Sequence, residues 1–119
     1  MSTETGRSIL IVEDEAMIAM MLEEYLGALG HHVQGVASTL EEALDKVARG
    51  GFDLAILDIY LNGTEIWPVA EKLDEVGLPF ILSSGGALSE IPAAFAARPM
   101  LAKPYTMGII AEIIDSVLK

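Results

Sequence analysis

The chain has 119 residues, enough for one domain with a core that needs neither disulfides nor a structural metal. Its 18 acidic and 7 basic residues give a net charge of −11, which would repel a phosphate backbone over most of the surface, so no nucleic-acid partner is expected. Cysteine is absent, no stretch approaches the roughly 18 apolar residues of a membrane span, and the N-terminal MSTETGRS has no apolar run, so a soluble, cytoplasmic protein without a membrane partner is expected.

Short apolar runs alternate five times with segments of helical periodicity. Ile9-Leu10-Ile11-Val12 is the first buried strand, and Ile18, Leu22, Tyr25, Leu26 and Leu29 then mark one helix face that Gly30 can stop. His32 to Ala37 is a weaker strand. Ser38 is read as the cap of the second helix, with Glu41 completing a capping box, and that helix runs through Leu40, Leu44 and Val47 to Gly50-Gly51. Leu54-Ala55-Ile56-Leu57 is the third strand, apolar on both faces. A loop around Asn62-Gly63 follows, then a helix from near Pro68 to near Gly77. Phe80-Ile81-Leu82 is the fourth strand and Ser83-Ser84-Gly85-Gly86 a flexible turn. A short helix from Leu88 to Ala97, interrupted by Pro92, precedes the fifth strand Met100-Leu101-Ala102. Thr106 can cap the last helix, which carries Ile109, Ile110, Ile113, Ile114, Val117 and Leu118.

Strands buried on both faces and alternating with helices predict an α/β fold with a parallel sheet covered on both sides. Five such units suit an open doubly wound sheet and are too few for an eight-stranded barrel. Residues 1–119 are read as a single domain.

In such sheets ligands bind beyond the carboxyl ends of the strands. Glu13 and Asp14 follow the first strand, Asp58 ends the third, Ser83 and Ser84 follow the fourth, and Lys103 with Pro104 follows the fifth. Three carboxylates about 5 Å apart would repel by roughly 3 kcal/mol per pair at an effective dielectric of about 20. A cation relieves that cost, and all-oxygen ligands with an open remainder suit Mg²⁺. Metal, ammonium and hydroxyl together can neutralise the oxygens of a transferring phosphoryl group, with Asp58 supplying the attacking oxygen.

The set Glu13-Asp14, Asp58, Ser84, Lys103-Pro104 resembles the receiver domain of two-component response regulators, over Ser8 to Lys119. The resemblance implies a flavodoxin-like five-stranded sheet of order 2-1-3-4-5. It implies that Asp58 accepts a phosphoryl group from a sensor histidine kinase or a histidine phosphotransfer protein. Asp14, Asp58 and the Tyr60 backbone carbonyl would bind Mg²⁺ directly and Glu13 mainly through water. Ser84 would follow the phosphoryl group, and Lys103 would pair with it. Such a domain catalyses its own aspartyl phosphorylation and dephosphorylation rather than turning over a separate substrate. The signal would leave through an unknown downstream protein at the face of the fourth helix, fifth strand and fifth helix.

The segment from Pro79 to Tyr105, with Phe80, Ser84-Gly85 and Arg98-Pro99, is similar to alphaproteobacterial single-domain regulators named for a "FATGUY" motif. Met100 stands where many receivers carry an aromatic switch residue. A phosphorylation-independent pseudo-receiver that only binds protein is the alternative, weakened by the intact acid–Lys set, because retained buried charges are costly when unpaired. A flavin-binding protein of similar topology would need a phosphate-cradling loop where Glu13-Asp14-Glu15 stands. Adjacent His31 and His32 point to opposite faces of a strand and make a poor metal pair.

Overall fold

A computed structural model describes residues 7–61, 63–84, 92, 95, 98–102 and 105–118. The elements are strand β1 (Ser8–Val12), helix α1 (Ala16–Ala28), β2 (His32–Ala37), α2 (Leu40–Arg49), β3 (Leu54–Asp58), β4 (Tyr60–Leu61), β5 (Thr64–Glu65), α3 (Trp67–Val76), β6 (Phe80–Ser84), β7 (Met100–Ala102) and α4 (Met107–Leu118). Five strands form a parallel sheet of order β2-β1-β3-β6-β7, while β4 and β5 make a separate antiparallel hairpin. Counting the parallel strands alone, this is the 2-1-3-4-5 order expected from the sequence.

The period of two along each strand builds two cores. Leu10, Val12, Ala55, Leu57, Phe80 and Leu82 pack with Ala43 and Val47 of α2 and Val69, Ala70 and Leu73 of α3. Their neighbours Ile9, Ile11, Leu54, Ile56 and Ile81 pack on the other face with Leu22 and Leu26 of α1 and Ile110 and Ile114 of α4. Two-sided burial is why these strands read as unbroken apolar runs. The edge strand β2, mostly exposed or half-buried, reads as the weakest. Pro68 stands in the first turn of α3, and Gly77 ends that helix in the left-handed conformation at φ 77°.

Three local expectations need correction. The cap of α2 is Thr39, whose hydroxyl accepts from the Glu42 N–H at 3.1 Å, and Glu42 in turn accepts from the Ser38 N–H at 2.8 Å. The capping register is therefore one residue later than Ser38/Glu41, because Thr39 is the last extended residue before the helix. The connection after Asp58 is not a plain loop. Gly63 takes φ 77°, and the flanking residues pair as Tyr60↔Glu65 and Leu61↔Thr64, the hairpin that an Asn-Gly step favours. Finally, β6 extends through Ser83 and Ser84, which are ladder residues paired to Leu101 and Ala102. The expected helix from Leu88 to Ala97 lies outside the described residues except for Pro92 and Phe95; Asn62, Gly85 and Gly86 lie outside them too.

Candidate functional site

β1 and β3 lie side by side, with Val12 opposite Leu57, so the residues that follow them emerge together at the carboxyl edge of the sheet. Glu13 donates its N–H to the Ala37 carbonyl at 2.9 Å, which extends the β1–β2 pairing by one residue and fixes its position. Its side chain is 2% exposed, and its Oε2 accepts from the Glu15 N–H at 3.2 Å. Asp14 is half-buried. Asp58, the last residue of β3, is 7% exposed. One carboxylate oxygen from each of Glu13, Asp14 and Asp58 lies within 4.8 Å of the others. The structure thus brings together the three acids that the sequence placed at separate strand ends.

Asp58 forms a rung with Ser83, and the Ile59 N–H donates to the Ser83 carbonyl at 3.0 Å. Ser83 and Ser84 are both buried. Their hydroxyls are differently employed. Ser83 Oγ is hydrogen-bonded to the hydroxyl of Tyr105, itself 4% exposed in the core beneath α4. Ser84 stands one residue beyond the Asp58 rung, opposite Ala102. Sequence reasoning missed Tyr105. The only available signal was its position two residues after Lys103, and nothing in the pattern linked it to Ser83. Lys103 and Pro104 lie outside the described residues; in the sequence they directly follow the last residue of β7.

The hairpin after Asp58 carries Tyr60, which pairs with Glu65, and the Ile59 carbonyl just before it accepts from the Ile66 N–H at 2.9 Å. The Tyr60 side chain is exposed. The donor set is accordingly all oxygen, three carboxylates with a backbone carbonyl close by in sequence, which fits a hard divalent cation.

Farther from the acids, Trp67 opens α3, is buried, and stacks on Phe95 with ring centroids 5.4 Å apart. Its indole N–H has no acceptor among the described residues. Phe95 meets Phe80 edge-on at 6.0 Å, and the Arg98 guanidinium lies 4.8 Å from the Phe80 centroid. Arg98 also forms a two-pronged bond to Asp74 at 2.8 and 2.9 Å. The histidines stand apart from the cluster: His31 Nδ1 accepts from the Arg7 N–H at 3.1 Å, and burial lowers its pKa below the usual value, Asp115 opposing and Arg7 reinforcing.

Among solved structures, the chain is similar to SdrG from Sphingomonas melonis Fr1, with 41% identity, a TM-score of 0.88, and coverage of 98% of this chain and 100% of that one. The BeF3-activated conformation of SdrG from Pseudomonas melonis Fr1 matches at 44% identity and a TM-score of 0.80, over 92% of this chain and 93% of that one. The phyllosphere-induced regulator PhyR of Methylorubrum extorquens is 31% identical over 99% of this chain, which spans 46% of PhyR. No helix among the described residues is long and apolar enough to cross a membrane. Residues 9–115, which hold the five-stranded sheet and nearly all of its helices, match the response regulator receiver domain, and the chain belongs to that family.

Proposed function

We propose that the chain is a phosphoacceptor receiver in a two-component phosphorelay. It takes a phosphoryl group from a phosphohistidine onto Asp58 and passes the signal on by protein contact. The observation that carries this reading is the carboxylate triad at the carboxyl edge of the sheet, with Glu13, Asp14 and Asp58 within 4.8 Å. Asp14, Asp58 and the Tyr60 backbone carbonyl would hold Mg²⁺ directly, and Glu13 would act mainly through water. Such an ion would neutralise the charge of the acids and of the phosphoryl oxygens.

The Asp58 carboxylate attacks phosphorus. A P–O bond forms, the P–N bond of the donor breaks, and the imidazole leaves with the electron pair. Ser84 donates its hydroxyl to a phosphoryl oxygen, and the Lys103 ammonium pairs with another. Ser83 is a poorer choice for that role because its hydroxyl is engaged by Tyr105. The BeF3-activated relative supports the chemistry, since beryllofluoride on a carboxylate imitates an aspartyl phosphate. Met17 and Met20 are exposed on α1, which starts two residues after Asp14, and give a donor protein an apolar foothold beside the site. Met107 and Ile109 are exposed on α4, the last helix, where a downstream partner would dock.

The test is labelling by acetyl phosphate with Mg²⁺ or by a phosphohistidine donor. The wild-type chain labels, and Asp58→Asn does not. Persistent labelling of the Asn variant sinks the assignment. An unlabelled wild type that still binds Mg²⁺ favours the protein-binding pseudo-receiver.

A further inference from the structure

Gln34, Lys46, Arg49, Gly50 and Phe52 line a cavity of about 140 Å³ beside the edge strand β2. It lies where α2 ends and β3 has yet to begin, toward the amino-terminal edge of the sheet and away from Glu13, Asp14 and Asp58. Three local features build it. The first is a bulge in β2. Ile9 pairs with Val33 and Leu10 with Gly35, so Gln34 is passed over. Val33 and Val36 both pack on the α1 face while Ala37 packs on the α2 face, which plain alternation from Val33 forbids. The extra residue lets Gln34 and Gly35 both face α2.

The second feature is Gly35 itself. A Cβ there would stand 3.4 Å from Lys46 Nζ, 3.6 Å from Cε and 3.7 Å from Cδ, so the end of the lysine side chain lies against the bare strand. Glycine inside a strand forgoes packing, and close approach of another group is a common reason for it. The third is the Gly50-Gly51 step, with φ of 72° and 90°, a turn that side chains resist. A Cβ on Gly51 would stand 3.2 Å from the Gln34 amide nitrogen.

The charges here run against the balance of the molecule. The chain carries −11 and has only seven basic residues, yet two of them line this one cavity. Lys46 is half-buried and makes no ion pair among the described residues. Arg49 Nε is tied to Asp45 at 3.1 Å, but that pair is 77% and 61% exposed and holds weakly. Glu42, one turn before Lys46, is engaged by the Ser38 N–H and hydroxyl. The carbonyl end of α2 opposes an anion with about half a unit of charge, less than two cations supply. Complementing that helix end would by itself account for Lys46 and Arg49. It accounts neither for the bulged Gln34 nor for the bare strand against the lysine.

We infer that this cavity binds a small phosphate-type oxyanion, held by the Lys46 ammonium, the Arg49 guanidinium and the Gln34 amide. All three offer N–H donors, and the two cations give the charge-assisted bonds that a doubly charged anion rewards most. The cavity is well short of the roughly 300 Å³ at which drug-sized ligands are enclosed, so it takes the anionic head of its ligand. The site is separate from the carboxylate triad and does not rest on the receiver reading.

The experiment titrates the full chain with inorganic phosphate in mildly alkaline buffer, followed by amide NMR spectra. A chelator removes divalent cations, so that phosphate has no metal to bind at the acids. Saturable shifts are expected at the Gln34 side-chain amide and at Gly35, Gly50 and Gly51, with acetate at matched ionic strength binding more weakly. Lys46→Gln is expected to weaken phosphate binding by about tenfold, the scale of one charge-assisted hydrogen bond. Gly35→Ala keeps every charge and pushes the ammonium aside, and is expected to weaken it by a smaller factor. Arg49→Gln, at an exposed position, serves if Lys46→Gln folds poorly. Shifts that do not saturate, or that centre elsewhere on the chain, overturn the inference. So does an affinity that survives both Lys46→Gln and Arg49→Gln, or acetate binding as tightly as phosphate.

Discussion

The two halves of the site are held by different means. The acidic half hangs from β1 and β3, inner strands with a ladder on both sides, and Glu13 adds one more backbone bond to β2. The hydroxyl half stands at the end of β6, which pairs on its outer side with β7, a three-residue edge strand. What steadies this second half is side chains. Arg98, two residues before β7, is tied to Asp74 of α3 and rests on Phe80, and Tyr105, three residues after β7, is tied to Ser83. The difference teaches that, on the proposed function, damage to the acids should fall on cation binding and damage around β6 and β7 on phosphoryl transfer, because backbone ladders hold the first group and side-chain contacts steady the second.

The largest separable effect is expected on the acidic side. Asp14→Asn removes one of the carboxylates that define the cluster and is expected to weaken Mg²⁺ binding by about tenfold or more, because charge count sets affinity at such sites. Labelling should fall at low Mg²⁺ and recover in part at high Mg²⁺. Titration of both variant and wild type checks this. A loss of labelling with unaltered Mg²⁺ affinity would erase the contrast between the halves.

On the other side, Arg98→Gln breaks the two-pronged bond to Asp74 and the contact with Phe80. The pair is partly exposed, with side chains 33% and 40% accessible, so screening reduces its worth. A stability loss of about 1–2 kcal/mol by urea denaturation is expected. Mg²⁺ affinity should stay unchanged.

The smallest effect lies outside both halves and serves as a control. The Ser38 N–H and hydroxyl hold the Glu42 carboxyl below its usual pKa. A depressed carboxylate pKa stabilises the fold above the unfolded value of about 4.3, and that contribution is lost as pH falls through the lower folded value. Glu42→Gln should flatten this acid limb of the denaturation midpoint against pH while leaving labelling untouched.

Much of this was legible in the sequence because burial on both faces leaves a plain mark. The runs at Ile9–Val12 and Leu54–Leu57 could be little else but inner strands, and their positions carried Glu13, Asp14 and Asp58 to one edge. Sequence patterns also record where polar side chains stop a run, which hid the true end of β6. Ser83 and Ser84 looked like a turn, although both are buried ladder residues. The hydroxyl of Tyr105 compensates for burying Ser83 across 22 positions of chain, and no local period encodes a contact of that range. The hairpin at Gly63 was readable from its Asn-Gly step, yet two-residue strands are too short to show alternation. The cap of α2 slipped by one residue because Ser38 and Thr39 are both good caps and Glu41 and Glu42 both good partners.

The central claim is that Asp58 carries the phosphoryl group. Borohydride reduction of the labelled chain converts an aspartyl phosphate to homoserine, and peptide mass mapping then reads the position. The account predicts homoserine at residue 58 alone, and only when Mg²⁺ and the phosphodonor are both present. Homoserine at residue 14, the reduction product of a glutamyl phosphate at Glu13, or an unreducible phosphate on Ser83 or Ser84, would contradict it.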